Sequence, residues 1–191
     1  MASETAKEQN SSSSPVKCLA VWSKSRRRFL IAQAALRVLA FAAASTALAV
    51  MITSDESIVL FGIKFRAYYS YASAFRFLLG ADAVVCGFSL LSLILLRLVS
   101  RSGSNPRNYF FLFLHDLAIT VLMISACAAG TAIGYVGRYG EEKMGWFGLC
   151  NRVTKFCNQV MVSVVFSYLA FFCYLALAIT SANKLSSHPL E

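Results

Sequence analysis

The sequence predicts an all-α membrane protein, a bundle of four transmembrane helices with both termini in the cytoplasm. Three observations lead to that class. Of the 191 residues, 58% are hydrophobic and only 14% are charged, which is too apolar for a water-soluble domain of this size. Four apolar runs are each long enough to cross the ~30 Å hydrocarbon core of a bilayer. A basic cluster directly before the first run indicates the orientation.

The predicted spans are the four apolar runs. Inside a bilayer, an isolated segment can satisfy its own backbone hydrogen bonds only as a helix. An even number of helices places both termini on the same side of the membrane. The link between the second and third runs is short and polar, so these two helices should be antiparallel neighbours. The spans are expected at about 30–52, 74–98, 109–134 and 159–181.

The orientation of the chain in the membrane is predicted from its N-terminal segment. Residues 1–29 are polar, Ser-rich and basic, and we predict a disordered cytoplasmic segment there. The cluster KSRRR at 24–28 lies where the positive-inside rule is most informative, and it also suits contact with anionic lipid headgroups. We expect no binding of nucleic acid. Residues 182–191 form the second cytoplasmic tail.

Two charged residues lie at matching depths in the spans. Arg37 is about seven residues inside the first run and Asp116 about seven inside the third, roughly 10 Å from the same membrane surface. Each charge alone costs roughly 2.5–3.5 kcal/mol on insertion scales. We therefore predict a structural ion pair between the two helices. The alternative is that Arg37 extends to the headgroups while Asp116 is protonated.

The other polar residues give no sign of catalysis. Asp82 lies in the outer half of the second span, where it can face Arg76, polar side chains or water. His115 precedes Asp116, but adjacent side chains on a helix point about 100° apart, so a separate packing or interfacial role is expected in place of a proton relay. Catalytic and phosphate-binding motifs are missing from the sequence. We expect no enzyme activity, no cofactor and no metal site.

The second outer loop carries a tryptophan, Trp146, and two cysteines, Cys150 and Cys157, in one non-cytosolic compartment. Because oxidising compartments favour disulfides, we predict that these two cysteines are linked. A metal-binding pair is the alternative, although two thiols without a nearby histidine make a poor site.

A ridge of small residues, Ala126, Gly130 and Gly134, ends the third span. Such ridges allow two helices to approach closely, either within one chain or between chains. We predict a helix-packing role, with contact inside the chain as the simpler use and self-association as the second.

Four segments together resemble the plant Casparian strip membrane protein-like (CASP-like) family, which is related to the MARVEL four-span proteins. The resemblance covers about residues 25–183 and would make Arg37, Asp116, Trp146, Cys150 and Cys157 structural positions. It implies a plasma-membrane scaffold that self-associates. The segments are LRVLAFAAA, AFRFLLGADAVVCGFSLL, FLHDLAITVLMISACAAG and GWFGLCNRVTKFC.

The first outer loop departs from the founding members of that family. It reads IVLFGIKFRAYYSYASAF and lacks their LPxxTQF-like signature. The resemblance therefore implies a general scaffold and not the endodermal specialisation. The expected partners are membrane lipids, copies of the same chain, related four-span proteins and secreted cell-wall enzymes.

A small channel or transporter is the alternative function, because the charges of Arg37, Asp82 and Asp116 lie at membrane depth. Two features favour the scaffold. One ion pair, Arg37 with Asp116, and one further aspartate, Asp82, do not form a continuous polar path across the membrane. The prolines lie outside the spans, so the broken helices of many transporters are not expected.

Overall fold

Four long helices dominate the computed structural model, which describes residues 15–60, 63–68, 70, 72–102, 106–140, 145, 148, 150 and 153–186. The helices are α1 (Pro15–Ile52), α2 (Ser73–Ser102), α3 (Pro106–Tyr139) and α4 (Thr154–Ser186). A short hairpin of β1 (Asp55–Leu60) and β2 (Ile63–Tyr68) lies between α1 and α2. The prediction of an all-α bundle of four spans is confirmed for the membrane domain, whereas the cytoplasmic placement of the termini stays a prediction.

The segments long and apolar enough to cross a membrane are Arg27–Ile52, Ser73–Ile94, Phe110–Tyr139 and Thr154–Asn183. Their bounds differ from the predicted spans by at most five residues. Each helix packs mainly against two neighbours, so that α1, α2, α3 and α4 follow one another around a ring that the α4–α1 contact closes. Arg37 and Asp116 therefore lie on helices that face each other across the centre of the bundle.

The buried face of each helix follows one spacing rule, in which buried residues recur at alternating steps of three and four. That spacing is typical of helices that cross at a small angle in a left-handed bundle. Small side chains on this face let the helix backbones approach closely. In α1 the face consists of Gln33, Arg37, Ala40, Ala44, Ala47 and Met51, and in α4 of Val160, Ser163, Ser167, Ala170, Tyr174, Leu177 and Ser181.

The first helix begins much earlier than predicted. The expectation of disorder throughout 1–29 is wrong for residues 15–29, because α1 already begins at Pro15. Proline suits the first position of a helix, and the following Ala, Leu, Lys and Arg residues favour helix. Extending an existing helix also avoids the cost of nucleating a new one. Residues 1–14 and 187–191 lie outside the described part of the chain.

The hairpin was not predicted. Its strands pair antiparallel, from Asp55 opposite Tyr68 to Leu60 opposite Ile63. The segment is rich in Ile, Val, Phe and Tyr, which favour strands. Two residues, including Gly62, separate the strands, and this is the commonest spacing for a hairpin.

Candidate functional site

The centre of the bundle contains an ion pair. Arg37 on α1 and Asp116 on α3 both have fully buried side chains, and Arg37 Nη2 lies 2.8 Å from Asp116 Oδ2. Each residue occupies a buried-face position of its helix, which directs the two side chains toward each other across the ring. The structure thus brings together the two charges that the sequence placed at equal depth.

Partners from α2 and from α1 itself complete the surroundings of Arg37, and one of them links it to α4. Arg37 Nη1 donates a hydrogen bond to Ser92 Oγ at 2.7 Å, and Nη2 also lies 3.4 Å from Gln33 Oε1. Gln33 Nε2 donates in turn to Thr180 Oγ1 at 2.9 Å and lies 3.1 Å from Ser181 Oγ. We call Gln33, Arg37, Ser92, Asp116, Thr180 and Ser181 the buried polar cluster. All four helices contribute to it.

His115 contacts the cluster, contrary to prediction. Its Nδ1 lies 3.3 Å from Asp116 Oδ1, with 26% of the imidazole side chain exposed. The ring also packs against Phe88, with 5.2 Å between ring centroids. On a helix, the 100° separation of adjacent residues applies to the direction of the bond from Cα to the Cβ atom. The two side chains bend toward each other beyond that atom, so His115 combines the expected packing role with a polar contact.

A second set of buried polar contacts joins α2 to α4. Ser89 Oγ and Tyr174 OH lie 2.7 Å apart, and both residues are fully buried. About two turns before Ser89 on α2, Asp82 Oδ2 lies 2.7 Å from Ser167 Oγ. Ser163, one turn before Ser167, donates a hydrogen bond to the carbonyl oxygen of Ala47 on α1 at 2.9 Å. The two contacts between α2 and α4 cross the second diagonal of the ring, whereas the contact of Ser163 with Ala47 joins neighbouring helices.

The surroundings of Asp82 differ from those of Asp116. Asp82 is 1% exposed, and its Oδ1 has no hydrogen-bond partner among the described residues. Of the neighbours that the sequence allowed, Arg76 is exposed, and a polar side chain, Ser167, makes the observed contact. No cationic side chain in the described part of the chain forms an ion pair with Asp82.

Chemically, the buried polar cluster has the properties of a structural site. Its two formal charges neutralise each other, and its other members are neutral amides and hydroxyls. Burial of such a pair is tolerated when hydrogen bonds satisfy most of its polar atoms. Both oxygens of Asp116 and both terminal nitrogens of Arg37 have partners, and Arg37 Nε is buried without one among the described residues. Within the described residues, no group of three or more His, Cys, Asp or Glu side chains is placed to bind a metal ion.

The loop between α3 and α4 is closed by a disulfide between Cys150 and Cys157, whose Cα atoms are 5.6 Å apart. It links the loop to the first turn of α4. Cys150 N also donates a hydrogen bond to Gly137 O near the end of α3, at 3.1 Å. The loop is therefore attached to both helices that it connects. The predicted aromatic position, Trp146, lies outside the described residues.

The ridge of small residues on α3 is divided between two environments. Ala126 is fully buried, and Gly130 is buried in the bundle. A Cβ built on Gly130 would lie 3.0 Å from Leu78 Cδ2, so this glycine allows close contact with α2. A Cβ on Gly134 would have no neighbour within 4 Å. Ala126 and Gly130 thus pack within the chain, and Gly134 does not take part.

The four spans, the buried ion pair and the disulfide-closed loop between α3 and α4 define a four-span membrane protein whose buried polar residues contact one another between helices. The family follows from comparison with known proteins. The model of the Casparian strip membrane protein domain matches residues 26–173, and the chain belongs to that family.

Several plant relatives are similar over most of their length. The chain is 52% identical to CASP-like protein 1F2 of Ricinus communis, over 86% of this chain and 82% of the relative. It is 49% identical to CASP-like protein 1F3 of Populus trichocarpa, over 88% of both chains. CASP-like protein 1F1 of Arabidopsis thaliana is 40% identical, over 79% of this chain and 87% of the relative. No solved structure matches the chain. The resemblance noted in the sequence is therefore confirmed.

Proposed function

We propose that this protein is a non-enzymatic scaffold of the plasma membrane that self-associates into membrane platforms and organises local modification of the cell wall. The observation that carries the proposal is the closed interior of the bundle. Arg37 and Asp116 are fully buried and bind each other, and the neighbouring polar groups bind them in turn. Charges arranged in this way stabilise a fold.

A channel or transporter would need a different interior. Charges on an ion pathway face a water-filled cavity or a passing substrate. Here the central charges have no exposed surface, and His115 is the partly exposed group that contacts them. The interior therefore favours a scaffold over the alternative of transport.

Self-association requires a helix face that the chain itself leaves open. The outward face of α2 has that property. Gly80, Ala83 and Gly87 are exposed there, and a Cβ built on either glycine would have no neighbour within 4 Å. Phe77, Val84 and Phe88 are exposed large side chains close to them on the same helix. Small residues between larger ones give a surface on which a second helix can pack closely.

We assign this face to contact with copies of the chain and with related four-span proteins, and the remaining exposed apolar side chains to membrane lipids. Secreted cell-wall enzymes are the proposed partners of the outer loops. The Cys150–Cys157 disulfide would give one of these loops a fixed shape for such contacts.

The decisive experiment compares lateral mobility and crosslinking in a plasma membrane with ion flux in liposomes. The native chain should diffuse slowly, form crosslinked oligomers and conduct no ions. Gly87→Leu should increase mobility and reduce crosslinking while thermal stability stays unchanged. Val165→Leu, an enlargement on an exposed position of α4, is the matched control and should change neither property. Ion flux without oligomers would refute the scaffold.

A further inference from the structure

Ser167 lies within hydrogen-bond distance of two oxygen acceptors although its hydroxyl has only one proton. Its Oγ is 2.7 Å from Asp82 Oδ2 and 3.1 Å from the carbonyl oxygen of Ser163. If Asp82 is ionised, the Ser167 proton can form only one good bond at a time. If Asp82 Oδ2 carries a proton, it donates to Ser167 Oγ, and Ser167 then donates to Ser163 O. Both observed distances become full hydrogen bonds in that arrangement.

The second carboxyl oxygen of Asp82 also indicates that this residue is protonated. Oδ1 is buried without a partner among the described residues. A buried oxygen of a carboxylate needs hydrogen-bond donors, and leaving it bare is far costlier when it carries charge than when it belongs to a neutral carboxylic acid. Asp116 has the opposite pattern, since both of its oxygens have a nitrogen partner.

Among the described residues, the groups that face Asp82 supply no compensating positive charge. The guanidinium of Arg37 binds Ser92, which lies ten residues farther along α2, or about 15 Å. The titratable neighbours that interact electrostatically with Asp82 are Cys86 on α2 and Cys127 on α3. The nearby contact from α1 is a backbone carbonyl, and α4 contributes serine hydroxyls.

A metal cation fits this place poorly. Hard cations such as Ca²⁺ and Mg²⁺ take about six or more oxygen ligands. Within the described residues, Ser167 is the side chain that contacts the carboxyl group of Asp82, and the hydroxyls of Ser163 and Ser167 already bind helix carbonyls. A proton needs only the carboxylate and one acceptor.

We propose that Asp82 is a proton-binding site inside the bundle, at which a neutral carboxylic acid donates to Ser167 and so connects α2 to α4. The site is separate from the ion pair of α1 and α3. Its aspartate is a neutral carboxylic acid, whereas the aspartate of the ion pair is a charged carboxylate. Its proton is part of the folded structure, because removing it would leave an unpaired negative charge in the bundle.

Infrared spectroscopy of the full chain in a maltoside detergent tests the assignment, because the detergent has no ester carbonyl to obscure the band of a protonated carboxylic acid. At neutral pH the native protein should show that band. Asp82→Asn should lose it and keep the native melting temperature, since the amide is a neutral substitute of the same shape. Ser167→Ala should retain the band at a higher frequency, because the carboxylic acid loses its acceptor.

Three results would overturn the proposal. The first is the absence of a carboxylic acid band in the native protein, the second is a band that survives in Asp82→Asn, and the third comes from a change of cation. The spectra are repeated with choline in place of sodium, and the band should not change. A band that is present in choline and absent in sodium would mean that a sodium ion occupies the site and that the proton is the wrong ligand.

Discussion

Replacing either member of the Arg37–Asp116 pair by leucine should destabilise the protein much more than replacing both. Each side chain is fully buried, and the contact is 2.8 Å. Removing one partner of a buried ion pair costs about 3–5 kcal/mol, because the other charge is left uncompensated. Replacing both by apolar side chains removes the charge altogether, is often close to neutral, and should cost at most about 2 kcal/mol.

The two single variants should lose different amounts of stability, because the charge left behind differs between them. In Asp116→Leu, Ser92 and Gln33 still accept hydrogen bonds from Arg37, but the guanidinium cannot lose its charge. In Arg37→Leu, the stranded carboxylate can take up a proton and become neutral. We therefore expect the loss to be about 5 kcal/mol for Asp116→Leu and about 3 kcal/mol for Arg37→Leu.

The measurement is a double-mutant cycle, with thermal unfolding in detergent and abundance at the cell surface as the two readings. The two single losses sum to about 8 kcal/mol and the double variant should lose at most about 2 kcal/mol, so the coupling free energy between the two substitutions should be about 6–8 kcal/mol. A control cycle combines Arg37→Leu with Asp82→Leu, whose aspartate does not contact the arginine, and should be additive within about 0.5 kcal/mol. If the Arg37 and Asp116 losses also add within that margin, the two residues are not partners and the reasoning fails.

Tight packing, the disulfide and the orientation each have a direct test. Gly130→Leu should lower the melting temperature through overpacking of about 1–3 kcal/mol against Leu78, whereas Gly134→Leu should not; equal effects would contradict the packing described. Non-reduced peptide mapping should recover Cys150 linked to Cys157, and replacing both by serine should cost about 2.5 kcal/mol in the loop-entropy model. Free thiols at both positions would refute the link. Protease added outside intact cells should leave a tag at either terminus uncut, and cleavage would reverse the topology.

The sequence was sufficient for the spans and for the two facing charges, because length and charge have large energetic consequences in a bilayer. Four runs of spanning length leave few alternatives to four helices. Arg37 and Asp116 are conspicuous for the same reason, since an unpaired charge at that depth is unfavourable and equal depth points to a partner.

The polar partners were not predicted, because serine, threonine and glutamine are ambiguous inside a membrane. Thr46 and Ser125 bond to carbonyls of their own helices and are exposed or partly exposed. Ser92 and Ser167 have the same chemistry but face the interior. The difference lies in the rotation of each helix about its axis. That rotation is hard to read from a helix that is apolar on every side.

Polar contacts across the ring give this bundle a means of selecting its own arrangement. Lipid chains are as apolar as leucine, so apolar contacts alone discriminate poorly between one helix neighbour and another in a bilayer. One diagonal is fixed by Arg37 and Asp116, and the other by Ser89 with Tyr174 and by Ser167 with the aspartate of α2. Because each diagonal joins helices that are not adjacent in the ring, satisfying both contacts at once excludes most alternative orders. A variant that loses one diagonal can therefore keep four inserted helices and its helical circular dichroism while losing the native set of interhelical crosslinks.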